Sequence, residues 1–406
     1  MYKIALDRSI IDNFRDTVND MPWFIYEDEK DRRHWNTICA CLDRITDIVD
    51  YLNDKELGHK KYRSNAFDFI DFMAQSSVLI DSVATLAKII LGKSYDIKTA
   101  KPHEEFFKSK KLSPNADLLK SREYYDYRYF EYLRSICATH PTSTSRHKEF
   151  QMDRNGEVSP FILWSKNVLS LRDDNAELHA HIYANGERQD TNALPIYLRE
   201  VFDYIKWNYS NLDYLASELT KKYELKIQQY KNTPLPHAND CADYKDYMQH
   251  LINESKKRMP DLDYLFEASG YIVGLNITNK NNLQKYKNFE KKVIKATEET
   301  RTIIQTMDFN AFEDGIALKN LLFSGIDEED TFKGACYFYS KTSYLTSSHG
   351  DIETARWATG GLQPFLSRYI DFTKEDCESL NRYELYALIH VALDLYWTEK
   401  RSKQKK

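Results

Sequence analysis

The chain reads as mainly α: a multi-helix bundle, a small β-rich insertion after the third long helix, and a second helical half. Three observations predict this. Gly and Pro number only 12 and 10 among 406 residues, a scarcity that disfavours turn-dense sandwiches, propellers and Gly-rich nucleotide folds. Apolar residues recur at steps of three and four over long stretches, the period of a helix face. Tyr (29) and Phe (20) are plentiful, and their large side chains suit helix–helix interiors. A composition of 42% hydrophobic and 29% charged residues is that of a soluble globular chain with room for two domains.

The elements follow in order. Over 32–53, Trp35, Ile38, Leu42, Ile45, Val49 and Leu52 share one helical face before Gly58 breaks the run. Over 65–91, Phe69, Ile70, Phe72, Met73, Ile80, Val83, Ala84, Ala87 and Ile90 cover much of a helix circumference, which places it mid-bundle, with Gly92 as its stop. A Lys-rich polar connection (93–116) leads to a third helix over 117–138, carrying Tyr125, Tyr129, Tyr132, Leu133 and Ile136 and ended by Pro141. The character then changes. Phe161 to Trp164, and 177–184 followed by Asn185-Gly186, read as strands with a tight turn. Ile182 and Tyr183 fall on opposite faces there, so 151–190 is expected to pack one side and leave the other wet. One long helix is expected over 194–230. After Pro234 and Pro236, further helices are expected over 242–258, 262–274, 283–307, 312–322 and 382–401, the last preceded by a capping-box-like Thr373 and Asp376. The domains expected are 1–150, 151–190 and 191–406.

Charge and cysteines bound the setting. A net charge of −5 excludes a chain that is basic throughout and leaves room for a local basic site. Charges follow the first residues too early for a secretory signal. The apolar window 78–91 is interrupted by Asp81 and Lys88, so no membrane span is expected. Six cysteines without paired spacing point to free thiols in a reducing cytoplasm.

The stretch richest in chemistry runs from Phe130 to Pro141. Arg134 is followed by the small polar Ser135, and His140 stands six positions after Arg134. His titrates near neutrality and moves protons. Arg keeps its charge, and its planar fork suits phosphate oxygens and the charge that builds on them. Together they can cleave a phosphodiester with the RNA 2′-hydroxyl as nucleophile, without metal or cofactor. On a continuous helix six residues turn about 600°, so convergence requires the helix to end between them, and Pro141 disfavours helical geometry at His140.

This segment resembles the Arg-x4–6-His signature of the HEPN superfamily, helical bundles that often act as metal-independent ribonucleases in toxin, anti-phage and CRISPR-linked systems. The match is close over about 12 residues, with looser agreement of helix order over 30–150. The resemblance implies Arg134 and His140 as the catalytic pair and Ser135 as the polar neighbour, a position more often Asn in the family. It also implies a homodimer with both motifs lining one cleft. The alternative is a surface Arg beside a helix-capping His.

Downstream, Thr142, Ser143, Thr144 and Ser145 lead into Arg146, His147 and Lys148. Hydroxyls and cations of this kind hold phosphate backbones, which makes Thr142, Arg146, His147 and Lys148 candidate RNA contacts. Tyr124, Tyr125, Tyr127 and Tyr129 offer faces for unpaired bases, or core packing. His179 and His181 share one strand face, with no third metal ligand at a telling spacing. Ser347 to Asp351 gathers Ser, His and Asp without a nucleophile elbow, and no phosphate-binding Gly loop is present. The function expected is therefore a metal-independent, cytoplasmic endoribonuclease of the HEPN type, acting in anti-phage defence or as a toxin. RNA is its expected partner, with a second copy of the chain and a regulatory protein. The alternative function is a non-catalytic helical interaction or sensor module, and residues 191–406 suit a regulatory or sensor half under either.

Overall fold

The helices α1 (Arg8–Asn19), α2 (Glu29–Asp54) and α3 (Ser64–Leu91) open the chain. Asp7 caps α1 by accepting the Ser9 N–H at 2.9 Å, and Gly92, at φ 101°, ends α3 in the left-handed region. In α3, Phe69, Phe72, Met73, Leu79, Ile80, Val83, Leu86 and Ala87 are buried, as an all-round apolar helix requires. The span Phe67–Leu91 is long and apolar enough to cross a membrane despite Asp81 and Lys88. Charge therefore does not separate it from a span; what it does here is fill the bundle core. The structure, a computed structural model, describes residues 1–21, 29–58, 64–92, 106–108, 125–139, 150, 157–158, 162–165, 175–184, 191–327, 331–347 and 350–404.

The third helix of the sequence reading is α4 (Tyr125–Arg134), which widens into a π turn over Ser135–Thr139. Its Leu133 and Ile136 are buried, as expected. Tyr129 is buried too, edge-on to Phe150 at 5.2 Å, so it fills the core and offers no stacking face. The strands β1 (Glu157–Val158), β2 (Ile162–Trp164), β3 (Leu178–Ala184) and β4 (Thr191–Ile196) form an antiparallel sheet. β3 is central, with β4 along one edge and β1 and β2 following one another along the other. Residues 191–196 are thus strand, where a helix starting at 194 was expected. Pro195 suits the edge strand β4, which pairs with β3 alone among the described residues.

One sheet face, formed by Ile162, Trp164, Leu178, Ala180, Leu194 and Ile196, belongs to the helical core. Among the described residues the opposite face is not wet. His179 and Pro195 are buried on it, and Leu163, His181 and Ala193 are half-buried. His179 tolerates burial because its Nδ1 shares a 2.9 Å hydrogen bond with Ser165 Oγ.

Helix α5 (Leu198–Asn232) buries Val201, Tyr204, Ile205, Leu212 and Leu215 in the same core as α1 to α4 and the sheet. For that reason the two compact units are residues 1–224 and 225–406, and neither a boundary at 150 nor one at 190 separates cores. Tyr209 closes the first unit: its hydroxyl donates to Asp7 O at 2.7 Å and accepts the Ile11 N–H at 3.2 Å.

The second unit contains α6 (Tyr244–Arg258), α7 (Asp263–Gly270), α8 (Lys280–Thr306), α9 (Ala311–Asp314), α10 (Ala317–Leu322), α11 (Ala335–Thr342), α12 (Ile352–Gly361), α13 (Gln363–Leu366), α14 (Asp376–Ser379) and α15 (Arg382–Gln404). The helix expected over 312–322 is two, because Gly315 at φ 90° breaks it. Thr373 and Asp376 do exchange hydrogen bonds, Thr373 N–H to Asp376 Oδ2 at 2.7 Å, but they start α14. The last helix is capped by Asn381 Oδ1, which accepts the Glu384 N–H at 3.0 Å. α15 packs on α8 and is buried from Glu384 to Asp394. The Glu384 carboxylate accepts the Thr278 N–H at 2.6 Å.

Inside α15, His390 is buried edge-on to Tyr386 at 4.4 Å, and burial pushes its pKa down to about 3. The imidazole is neutral in the fold and takes a proton on unfolding near its ordinary pKa of about 6.5. Its contribution to stability is whole above that pH and is lost as pH falls toward the folded value. In His390→Leu, urea unfolding should have a shallower acid limb than wild type between pH 6 and 4, by up to about 1.4 kcal/mol per pH unit. Parallel limbs would mean that the ring accepts its proton in the fold.

Candidate functional site

Helix α4 sets up the site by burying one face and leaving the other at the edge of the core. Tyr129, Phe130, Tyr132, Leu133, Ile136 and Cys137 are buried, whereas Tyr127, Arg128, Glu131 and Arg134 are half-buried. Glu131 and Arg134, three apart on one helix, meet as an ion pair at 2.9 Å. The neighbouring α3 contributes the third group. Its buried Ser77 Oγ accepts from Arg134 Nη1 at 2.8 Å. The guanidinium is thus held from two helices, on bonds to side chains, with a quarter of the Arg134 side chain (25%) still open to solvent.

Regular α geometry ends at Arg134, and the π turn Ser135–Thr139 follows, packed on α3. A π turn changes the angular step between residues and is common at functional positions. Ser135 itself is buried, at 4% exposure. It therefore stands in the wall beside Arg134 and does not reach solvent. His140, Thr142, Arg146, His147 and Lys148 lie outside the described residues, as do Ser348 and His349. The structure accordingly brings together Arg134, Glu131 and Ser77. Sequence reasoning missed Ser77 because it lies 57 residues away on another helix, and missed Glu131 although its spacing from Arg134 is that of a helical ion pair.

The second unit holds other groupings. A cleft of about 810 Å³ is lined by Phe338, Trp357, Lys374 and Glu378, among others. Arg356, at its wall, donates to the carbonyls of Cys377, Glu378 and Leu380 and so closes the end of α14. Near the start of α6, Cys241, Asp246 and His250 bring their ligand atoms within 4.8 Å of one another. The sequence signal for that cluster is Cys-x4-Asp-x3-His, with the last two one helical turn apart. Asp351, from the Ser347 to Asp351 stretch, caps α12 by accepting the Glu353 N–H at 3.0 Å.

No family model, curated protein or solved structure matches this chain.

The anchoring of Arg134 is measurable. Ser77→Ala leaves a largely buried N–H without this acceptor and should cost about 1–2 kcal/mol in urea unfolding. Glu131→Gln, in a partly exposed pair, should cost about 1 kcal/mol or less. In a double-mutant cycle with Arg134→Ala, both effects should shrink; additive losses would mean that neither group holds the guanidinium.

Proposed function

We propose that the chain is a metal-independent endoribonuclease of the HEPN type, acting in anti-phage defence or as a toxin. The observation that carries this reading is the guanidinium of Arg134. It is preset by Ser77 and Glu131 and partly open to solvent, where the α-helix gives way to a π turn six positions before His140 in sequence. Holding a charge donor in place before substrate arrives is what stabilises developing phosphate charge.

In the reaction, His140 takes the proton of the RNA 2′-hydroxyl, and the freed oxygen attacks the adjacent phosphorus. The bond to the 5′ oxygen breaks, and that oxygen takes up the proton carried by His140, which returns to its neutral form. Arg134 balances the extra negative charge on the phosphoryl oxygens. Thr142, Arg146, His147 and Lys148 hold the flanking backbone, and two copies of the chain line one cleft. Ser135 is assigned a supporting place behind Arg134, since it is buried. The second unit serves as the sensor or regulatory half.

A second reading has its own observation. The Glu131 carboxylate neutralises Arg134, as it does in a purely structural ion pair, and this favours a non-catalytic module that works through protein partners.

Cleavage assays separate the two. RNA cleavage should survive EDTA, leave 2′,3′-cyclic phosphate ends, and spare DNA, which lacks the attacking oxygen. Arg134→Ala and His140→Ala should each reduce the rate by a factor of about 10² or more while the circular dichroism spectrum stays native. His181→Ala should cut normally. Mixing the two inactive variants should restore part of the activity if each site draws on both protomers. Cleavage that persists in both single variants, or none from wild type, leaves the interaction module as the better reading.

A further inference from the structure

The turn before α6 carries a thiol, a carboxylate and an imidazole in one place. Asp246 and His250 are one turn apart on α6, with Oδ1 and Nε2 at 3.6 Å. Cys241 stands just ahead of the helix, and all three ligand atoms lie within 4.8 Å of one another. Tetrahedral zinc with bonds of about 2.0–2.3 Å sets its ligand atoms roughly 3.3–3.8 Å apart. The Asp246–His250 edge already has that length, and the cysteine needs to close by about 1 Å at most, within reach of one side-chain rotation.

The surroundings orient these groups as outer partners do in metal sites. The Ala242 N–H donates to Asp246 Oδ2 at 3.1 Å, which leaves Oδ1 turned toward the imidazole. Asp243 caps α6 by accepting the Asp246 N–H at 2.8 Å. Upstream, the His237 N–H donates to Asp240 Oδ2 at 2.8 Å, and Arg301 holds the carbonyls of Leu235 and Pro236 at 2.7 and 2.8 Å. The backbone on both sides of Cys241 is therefore tied before any ion arrives.

We propose that Cys241, Asp246 and His250 form a zinc site that staples the turn ahead of α6 to its first two turns. Thiol and imidazole select a borderline-soft divalent ion over Mg²⁺ or Ca²⁺, which prefer oxygen ligands throughout. The ion bonds the cysteine sulfur, and the thiol proton passes to buffer. His250 is exposed and the other two are half-buried, so the fourth position belongs to water. This site uses no residue of the Arg134 region and stands or falls independently of the ribonuclease reading.

The test is cobalt titration of the full chain after EDTA treatment and desalting. One equivalent of Co²⁺ should give a thiolate-to-metal charge-transfer band in the near ultraviolet, bleached by one equivalent of zinc. Cys241→Ser should abolish the band, His250→Ala should weaken binding at least tenfold, and Cys39→Ser should change neither. Zinc should also slow iodoacetamide alkylation of Cys241 in the wild-type chain, a readout that needs no variant. Absence of the band in wild type, its persistence in Cys241→Ser, alkylation unaffected by zinc, or occupancy only in large excess of metal would each overturn the proposal.

Discussion

A guanidinium drawn out of water needs acceptors for its N–H groups, and this chain draws in several. An unanswered buried donor costs about 1–3 kcal/mol and an unpaired buried charge more, so each arginine dictates what must lie around it. Arg258, almost wholly buried, donates to Tyr230 O at 2.9 Å, Thr233 O at 3.0 Å and the Glu254 carboxylate. Arg301 takes the carbonyls of Leu235 and Pro236. Arg356 does the same for the end of α14. Carbonyls at helix ends and in tight loops lack backbone partners, and arginine side chains supply the missing donors. These cations tie the loops of the second unit, which packs around its own apolar core.

Arg134 is answered differently. Its bonds to Ser77 and Glu131 run to side chains, and one of those carries a full negative charge. A backbone carbonyl is locked in place by the fold, whereas a carboxylate on a half-buried helix face can turn away. Under the proposed ribonuclease function, an incoming phosphate would have to displace the Glu131 carboxylate from the guanidinium. Under that proposal, the ion pair that keeps Arg134 oriented in the free protein would also set a threshold against weakly bound anions.

What was legible in the sequence follows from how local each signal is. The periodicity of Ile38, Leu42, Ile45, Val49 and Leu52, and the all-round apolar surface of 65–91, are properties of single helices and place α2 and α3 nearly to their ends. Strand β4 was misread because Leu194 and Ile196 continue smoothly into the helical face of Leu198, Val201 and Ile205; only pairing with β3 separates them. α1 was overlooked although Ile11, Phe14 and Val18 have helical spacing, while α13 and α14, of four residues each, are too short for any period to emerge. At the candidate site Arg134 was legible from its chemistry, but Ser77, which orients it, is a contact between distant helices. The burial of Ser135 has no signal in the sequence, because nothing there shows that the helix widens at that point.

The closure of the first unit by Tyr209 has a consequence for how the chain is made. The hydrogen bond from Tyr209 to Asp7 joins positions 202 residues apart, and the core around α4 is completed by residues as late as Leu219. Arg134 leaves the ribosome well before these partners do. At ordinary translation speeds the interval is on the order of ten seconds, far longer than a helix needs to form. During that time α4 has its own hydrogen bonds but lacks the wall that α5 provides. The nascent first unit is thus an incomplete bundle with apolar faces awaiting a segment still inside the ribosome.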